Sequence, residues 1–484
     1  MRFHARRSMG FALVGAALLA GCAVGPDYKR PPVAEPRMFR GQPTAEAASL
    51  ADLPWWEVFG DASLNDLIRE ALGSNYTVQI AAARVQEAQA QLGVARSRFF
   101  PSIGYIFNAQ EQRNGIAAQL GLNTTGEASA QSLFVGGLTA SWELDIWGRI
   151  RRSNEAARAD LLATEDARRG VWLTLVGEVA QTYFELLALD VRLGIAKDST
   201  DAFQGTYDLF RDRLEFGVAS KLQTSRAEGA LGAAQATIPE IQGEITAKEN
   251  QISILLGRSP GPIPRGTPMY EQPVVPAVPA GLPSALLERR PDIRRAEQQL
   301  IRANALVGVA KAEFFPKLNL TGVLGSASPE LSGVTSASAL VWAVASGLAG
   351  PVFQGGRILE NYRAHIAAWE QEKFRYEHIV LTAFREVSDA LTVLGKLAEA
   401  ETGQTRSVKA LEDAVTYATD RYRYGRASYY EVLEAQQQLY PAQSTLAQIR
   451  RDRLLAYVQL YKALGGGWSL TDSQWGVQGR GSDG

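Results

Sequence analysis

Nine residues early in the chain, Gly93-Val94-Ala95-Arg96-Ser97-Arg98-Phe99-Phe100-Pro101, return as Gly308-Val309-Ala310-Lys311-Ala312-Glu313-Phe314-Phe315-Pro316 with six positions identical. The offset is 215 there and settles at 208 further on. Gly148-Arg149-Ile150 then matches Gly356-Arg357-Ile358, and Gly217-Val218-Ala219-Ser220 matches Gly425-Arg426-Ala427-Ser428. Solenoid units repeat every ~20–50 residues, so a period this long reads as a duplicated half-protein. Two similar halves from one chain point to a pseudo-symmetric wall, an arrangement suited to surrounding a pore.

The repeat argues for two copies of one unit in the 484 residues, not for several unrelated domains. A net charge of -1 gives no overall pull toward nucleic acid or anionic membrane. Three histidines and one cysteine leave little material for a metal site. There is no phosphate-binding Gly-x4-Gly-Lys motif, no His-Glu-x-x-His and no Cys pair, so no catalytic constellation stands out.

Residues 1–21 read as a lipoprotein signal peptide. Arg2, Arg6 and Arg7 precede an apolar run from Phe11 to Ala20 that is too short to cross a bilayer as a helix. Leu19-Ala20-Gly21-Cys22 resembles a bacterial lipobox, and Cys22 is the only cysteine. A lone thiol makes no intrachain disulfide, so acylation of Cys22 is the simpler account of an exported chain. Several acyl chains on one residue anchor stably where one is marginal. Ala23, in place of Asp, implies sorting to the outer membrane.

Residues 22–60 form a Pro-rich, extended lead. The first structural repeat covers 61–257, with a short helix near Asp61 to Leu72 and a longer one from about Asn75 to Phe99 that stops at Pro101. Leu138, Ala140, Trp142 and Leu144 then alternate with Thr139, Ser141, Glu143 and Asp145, the period of a strand. Ile103, Tyr105 and Phe107 alternate in the preceding segment, and the small polar stretch from Gly115 to Gln131 reads as a surface loop. Residues 258–283 carry eight prolines and link the halves, and 284–465 repeat the plan. Leu318, Leu320 and Leu324 mark a third strand, and a fourth is expected across Ala339 to Phe353. Each segment has about 10 residues, the length a tilted strand needs to cross hydrocarbon.

From Arg149 to Phe216 and again from Arg357 to Tyr424 there is no proline in 68 residues, as in long coiled-coil helices. Each run ends at a glycine, Gly217 or Gly425, and a return helix starts at once. Ser220-Lys221-Leu222-Gln223 and Ser428-Tyr429-Tyr430-Glu431 both match the Ser-x-x-Gln/Glu capping box. Residues 466–484 are Gly-rich and read as a frayed, flexible tail. Four strands cannot close a barrel and open edges are not tolerated in lipid, so oligomerisation is expected. Three chains would supply twelve strands, an allowed even number.

These residues resemble the TolC family of outer-membrane efflux channels, in its lipoprotein branch. The resemblance rests on Trp55-Trp56 with Phe59 and Asp61, on both Phe-Phe-Pro sites, on Pro351-Val352-Phe353-Gln354-Gly355-Gly356-Arg357 and on Val432-Leu433-Glu434-Ala435-Gln436. Its most specific part is Leu282-Pro283-Ser284-Ala285-Leu286-Leu287-Glu288-Arg289-Arg290-Pro291-Asp292-Ile293-Arg294-Arg295-Ala296-Glu297. It implies an α+β membrane protein: a homotrimer with a twelve-stranded outer-membrane β-barrel, four strands per chain, joined to a long periplasmic α-helical barrel. The implied partners are a periplasmic adaptor protein and an inner-membrane resistance-nodulation-division pump, with no cofactor beyond the lipid on Cys22.

Glu431 and Glu434 lie six and nine residues after Gly425, on neighbouring positions of one helix face. The resemblance places acidic residues here as a ring narrowing the periplasmic entrance, where they would favour cations. Glu431 is also the fourth residue of a capping box, whereas Glu434 has Arg226 as its repeat counterpart and no structural reason to be acidic. Some relatives latch the entrance with an Arg two positions after the tip glycine and an acid in the first-half tip. Ala427 and Gln223 stand at those positions, leaving Arg421, Tyr422 and Arg423 as gate candidates. Arg213 and Arg421 equally suit helix C-terminal dipoles. The tip residues Gly217, Ala219, Ser220, Gly425, Ala427 and Ser428 are small enough to let adaptor helices approach, and a tight turn needs Gly for its own geometry. The expected function is a passive exit duct for small toxic molecules. A channel for ABC-driven protein secretion and a non-conducting envelope lipoprotein are the alternatives.

Overall fold

The computed structural model describes residues 23–42, 49–113, 130–272 and 280–475. The lead, expected to be extended, ends in a short helix, α1 (Trp55–Phe59); the elements of the first repeat follow in chain order as α2 (Ala62–Ser74), α3 (Tyr76–Ser97), β1 (Ser102–Arg113), β2 (Ala130–Leu144), α4 (Arg149–Glu215) and α5 (Lys221–Leu255). Those of the second are α6 (Leu286–Arg289), α7 (Pro291–Ala312), β3 (Lys317–Ser328), β4 (Leu340–Ala349), α8 (Arg357–Arg423) and α9 (Tyr429–Ala463). The chain divides into two compact units, and each draws on both repeats. One comprises Met1–Pro31, Val85–Ala163 and Ala296–Arg375; the other comprises Pro32–Arg84, Thr164–Arg295 and Tyr376–Gly484. The expected loop from Gly115 lies outside the described residues as far as 129, as do Cys22 and the signal peptide.

In the first unit the strands form one antiparallel sheet in the order β1-β2-β3-β4. The register aligns the apolar residues. Tyr105 pairs with Leu138, Leu138 with Leu324, and Leu324 with Trp342, so one row of large apolar side chains crosses all four strands. Trp142 opposite Leu320, and Leu144–Leu318–Leu348, put further apolar residues on the same face. Because successive side chains alternate, Ser102, Ser141 and Thr321, with Glu143 and Asn319, fall on the other face. Tyr105 is 88% exposed and Trp342 73%, so the apolar face is uncovered in the single chain. β4 is shorter than the expected span to Phe353. A Cβ on Gly350 would come within 2.9 Å of the Pro316 backbone, and Pro351 has no N–H to continue a ladder.

The repeated Phe-Phe-Pro segments end a helix and start a strand, and indoles fasten both. Trp142 Nε1 donates to the Phe99 carbonyl at 3.0 Å, and Trp147 Nε1 donates to the Pro316 carbonyl at 2.8 Å. The lead is bound alongside. Val24 N–H donates to the Trp147 carbonyl, Arg152 meets Asp27 at 2.7 Å, and Arg30 grips Glu297 with Nε and Nη2, each at 2.7 Å. Gly25 and Gly308 meet backbone to backbone; a Cβ on Gly25 would lie 2.5 Å from Gly308 Cα, which leaves no room for a side chain.

The second unit holds α5 and α9 together with α4 from Thr164 onward and α8 from Tyr376 onward. Asp61, fully buried there, caps α2 by accepting from Leu64 N–H at 3.0 Å. Its other oxygen accepts from Tyr183 (3.2 Å), Thr267 N–H (3.0 Å) and Gln272 (2.7 Å). Burial pushes the Tyr183 phenol well above its ordinary range. The signature arginines also find structural work. Arg290 donates to the Ala463 carbonyl at the end of α9 and pairs with Asp292 and Glu386, while Arg294 meets the buried Asp166. The C-terminal segment is docked, not frayed, as far as Trp475, which is 4% exposed and lies 5.6 Å from Trp172 between ring centroids. Arg168 pairs with Asp472 beside it. Gly-rich composition hid an aromatic anchor; residues 476–484 lie outside the described set.

Candidate functional site

Both hairpin tips turn at a glycine in the left-handed region, Gly217 at φ +71° and Gly425 at φ +68°. Only glycine adopts that conformation without cost. The bond pattern is the same in both: Val218 N–H reaches the Arg213 carbonyl, and Arg426 N–H reaches that of Arg421. With Gly217 to Leu214 and Gly425 to Tyr422, these close two Schellman motifs. A Cβ at either glycine would meet nothing within 4 Å, so the backbone angle, not crowding, demands Gly there.

The repeat then diverges. In the first hairpin Ser220 and Gln223 make the reciprocal capping box, with Ser220 N–H donating to Gln223 Oε1 at 2.8 Å. In the second, Ser428 makes no side-chain cap bond, so the expected box through Glu431 does not form. Glu431 lies instead 3.7 Å from Arg421 Nε. The equivalent arginines also differ: Arg213 leaves its own hairpin and covers the Tyr422 ring at 5.2 Å, whereas Arg421 stays beside its own return helix, near Glu431. Both members of the Arg421–Glu431 pair are largely exposed, so the pair is worth under about 1 kcal/mol.

An aromatic cluster joins the two tips. Tyr429 stands edge-on to Phe210 and to Tyr422, each at 4.9 Å, and its hydroxyl hydrogen-bonds Thr206. Burial raises the Tyr429 phenol above its usual range. Leu433 packs with Phe203 and Leu231 below it. Of the three gate candidates, then, Tyr422 touches the other hairpin, Arg421 lies beside Glu431, and Arg423 lies 4.0 Å from Asp420. Phe210, Thr206 and Tyr429 were not singled out from sequence. Their one local sign is that Phe203 and Phe210 recur at a seven-residue interval, which marks a helix seam but not its partner.

Glu434 is exposed and makes no ion pair among the described residues. Its counterpart Arg226 lies over the Tyr430 ring at 5.9 Å. Gly217, Ser220, Gly425 and Ser428 are exposed, and Ala219 and Ala427 half-buried. Around them Phe216 (82%), Val218, Leu222 and Tyr424 (80%) present large apolar surfaces to solvent. No group of three or more metal-ligating side chains occurs among the described residues.

A family model described as outer membrane efflux protein matches residues 67–258 and 282–466. The chain is 34% identical over 458 residues to the cation efflux system protein CusC of Escherichia coli O6:H1 (strain CFT073), covering 94% of this chain and 97% of the relative. It is 33% identical over 476 residues to the toluene efflux pump outer membrane protein TtgI of Pseudomonas putida, covering 96% and 98%. Its fold is similar to the solved structure of the outer-membrane channel OprN, with a TM-score of 0.85, 30% identity, and coverage of 92% of this chain and all of that one.

Proposed function

The chain belongs to the outer membrane efflux protein family, and from that premise we propose that three copies form the exit duct of a tripartite efflux pump. The family is one of outer-membrane channels, not of enzymes. The sheet is the observation that carries the trimer. It has one apolar face and two unpaired edges, β1 and β4, and such edges are not tolerated in hydrocarbon. Three copies would pair them and supply twelve strands. The hairpin tips would meet a periplasmic adaptor and, through it, a resistance-nodulation-division pump; the exposed Phe216, Val218 and Tyr424 support this. Relatives named for cations and for toluene share the framework, which fits a duct whose cargo is chosen by the pump. In mild detergent the purified protein is expected to have the mass of three chains. A monomer, or a protein that stays soluble without detergent, would contradict the reading.

Glu434, with a smaller part from Glu431, would ring the periplasmic entrance. Cys22 would be the acylated mature N-terminus. The seat of the neighbouring Ala23 supports this: a Cβ on Gly148 would lie 2.6 Å from that of Ala23, so the lead starts beside the junction between β2 and α4. Intact mass of membrane-extracted protein should show a start at Cys22 with added lipid, and a start elsewhere would defeat the assignment. Cys22→Ser should leave the trimer intact, because the barrel would hold itself in the membrane.

A further inference from the structure

Proline is disfavoured inside a helix because it lacks the N–H that bonds the carbonyl four residues earlier, and its ring presses on that carbonyl. α9 nonetheless runs through Pro441, so the Gln437 carbonyl loses its main-chain donor. A cavity of about 330 Å³ adjoins this point, walled by Ala230, Ala233 and Ala234 of α5 and by Tyr440 and Pro441 of α9. Bending here meets open space on that side.

The contacts differ on the two sides of Pro441. Away from the tip, Glu401 of α8 takes both Arg450 (2.9 Å) and Arg453 (2.8 Å), and Gln404 donates to the Ala442 carbonyl at 2.9 Å. Leu446 packs on Val408 beyond Pro441, and Leu439 packs on it from the tip side, so α9 is fastened to α8 across this region. Toward the tip, α9 is held to the first hairpin by Leu433 and by the Tyr429–Phe210 contact, and to α8 by Tyr422 and the exposed Arg421–Glu431 pair. The first hairpin carries a proline too, Pro239 in α5. It is tied within itself on both sides, by the Thr224 to Phe210 bond (3.4 Å) and by the Arg192–Glu244 (3.3 Å) and Lys248–Glu185 (2.7 Å) pairs. Its tip is also capped, whereas that of the second is not.

We propose that Pro441 is the pivot about which the tip of the second hairpin swings when the entrance opens, a proposal that rests on the channel reading above. The tip half of α9, with Glu431 and Glu434, moves by exchanging its contacts to the first hairpin. The half beyond Pro441 keeps its ion pairs to Glu401.

The test is single-channel recording of the full-length protein in planar bilayers, with Pro441→Ala beside Pro239→Ala. Restoring a donor to Gln437 should lower the open fraction of Pro441→Ala by about fivefold, the scale of one main-chain hydrogen bond. Pro239→Ala, the same chemical change in the other hairpin, should leave it unchanged. Tyr429→Ala should raise opening, and adding Pro441→Ala should remove most of that gain. An open fraction equal to wild type in Pro441→Ala, or an equal fall in Pro239→Ala, would overturn the pivot. Hydrogen exchange reads the same device without current: amides at Gln443 to Thr445 should exchange about tenfold faster than those at Leu454 to Val458, and slow in Pro441→Ala. Uniform exchange along α9 would refute the pivot even if the channel conducts. A wild type that never conducts but shows the exchange contrast would defeat the channel reading alone.

Discussion

Asp61→Ala is expected to destabilise the protein by about 3–5 kcal/mol, the largest loss from any single side chain described above. The carboxyl group is fully buried and collects four donors from separate stretches of chain: Leu64, Tyr183, Thr267 and Gln272. Alanine would leave all four facing a hole. The substitution should therefore cut the yield of folded trimer and lower its melting temperature by about 3–5 °C, since a chain of this size unfolds with an entropy of about 1 kcal/mol/K. Asp61→Asn keeps one acceptor oxygen but turns an NH₂ toward three donors, and should fall between. A melting temperature for Asp61→Ala within about 2 °C of wild type would show that the network is not what holds the Pro-rich linker to α2 and α4.

The second large effect concerns ions. If three copies bring Glu434 around a narrow entrance, divalent cations added from the periplasmic side should block current by bridging carboxylates of neighbouring copies. Glu434→Gln should raise the concentration needed for half-block by about tenfold, the scale of one lost charge-assisted contact, and leave assembly unchanged. Glu431→Gln should do less. The reason is the ion pair to Arg421, which already offsets that carboxylate, and not a capping box. Equal block in wild type and in the double variant would show that the pair does not form the constriction.

Much of the fold was legible because its signals are local or repeated. Alternation at Leu138 to Leu144, prolines at 101 and 316, and glycines at 217 and 425 each dictate backbone behaviour within a few residues. β4 was harder to read, since Gly347, Ala345 and Ser346 blur its alternation; pairing with β3 supplies the register that composition lacks. The errors came where a distant partner overrode a local pattern. Ser428-x-x-Glu431 matches the capping box as well as Ser220-x-x-Gln223 does, but Ser428 makes no cap bond and Glu431 faces Arg421. The Gly-rich C-terminal stretch is pinned because Trp475 finds Trp172, some three hundred residues away in sequence. The tip cluster likewise joins Phe210 and Thr206 to Tyr429, a pairing that no spacing within one helix reveals.

Signature motifs behaved differently again. Their resemblance identified a family, whereas the contacts assign each residue a task. Arg290 closes the end of α9, Arg294 meets Asp166, and Glu297 receives Arg30 of the lead. None of these residues needs to touch cargo, and the Arg-Arg-Pro-Asp-Ile-Arg segment serves the framework.

The central claim is that this protein conducts: a trimer whose sheets close in the membrane and whose hairpin tips narrow the entrance. Planar-bilayer recording of the purified full-length protein tests it most directly. The account predicts discrete, uniform current steps that divalent cations block from one side only, with the block relieved in Glu434→Gln. Membranes that remain silent after verified insertion of folded trimer would contradict it.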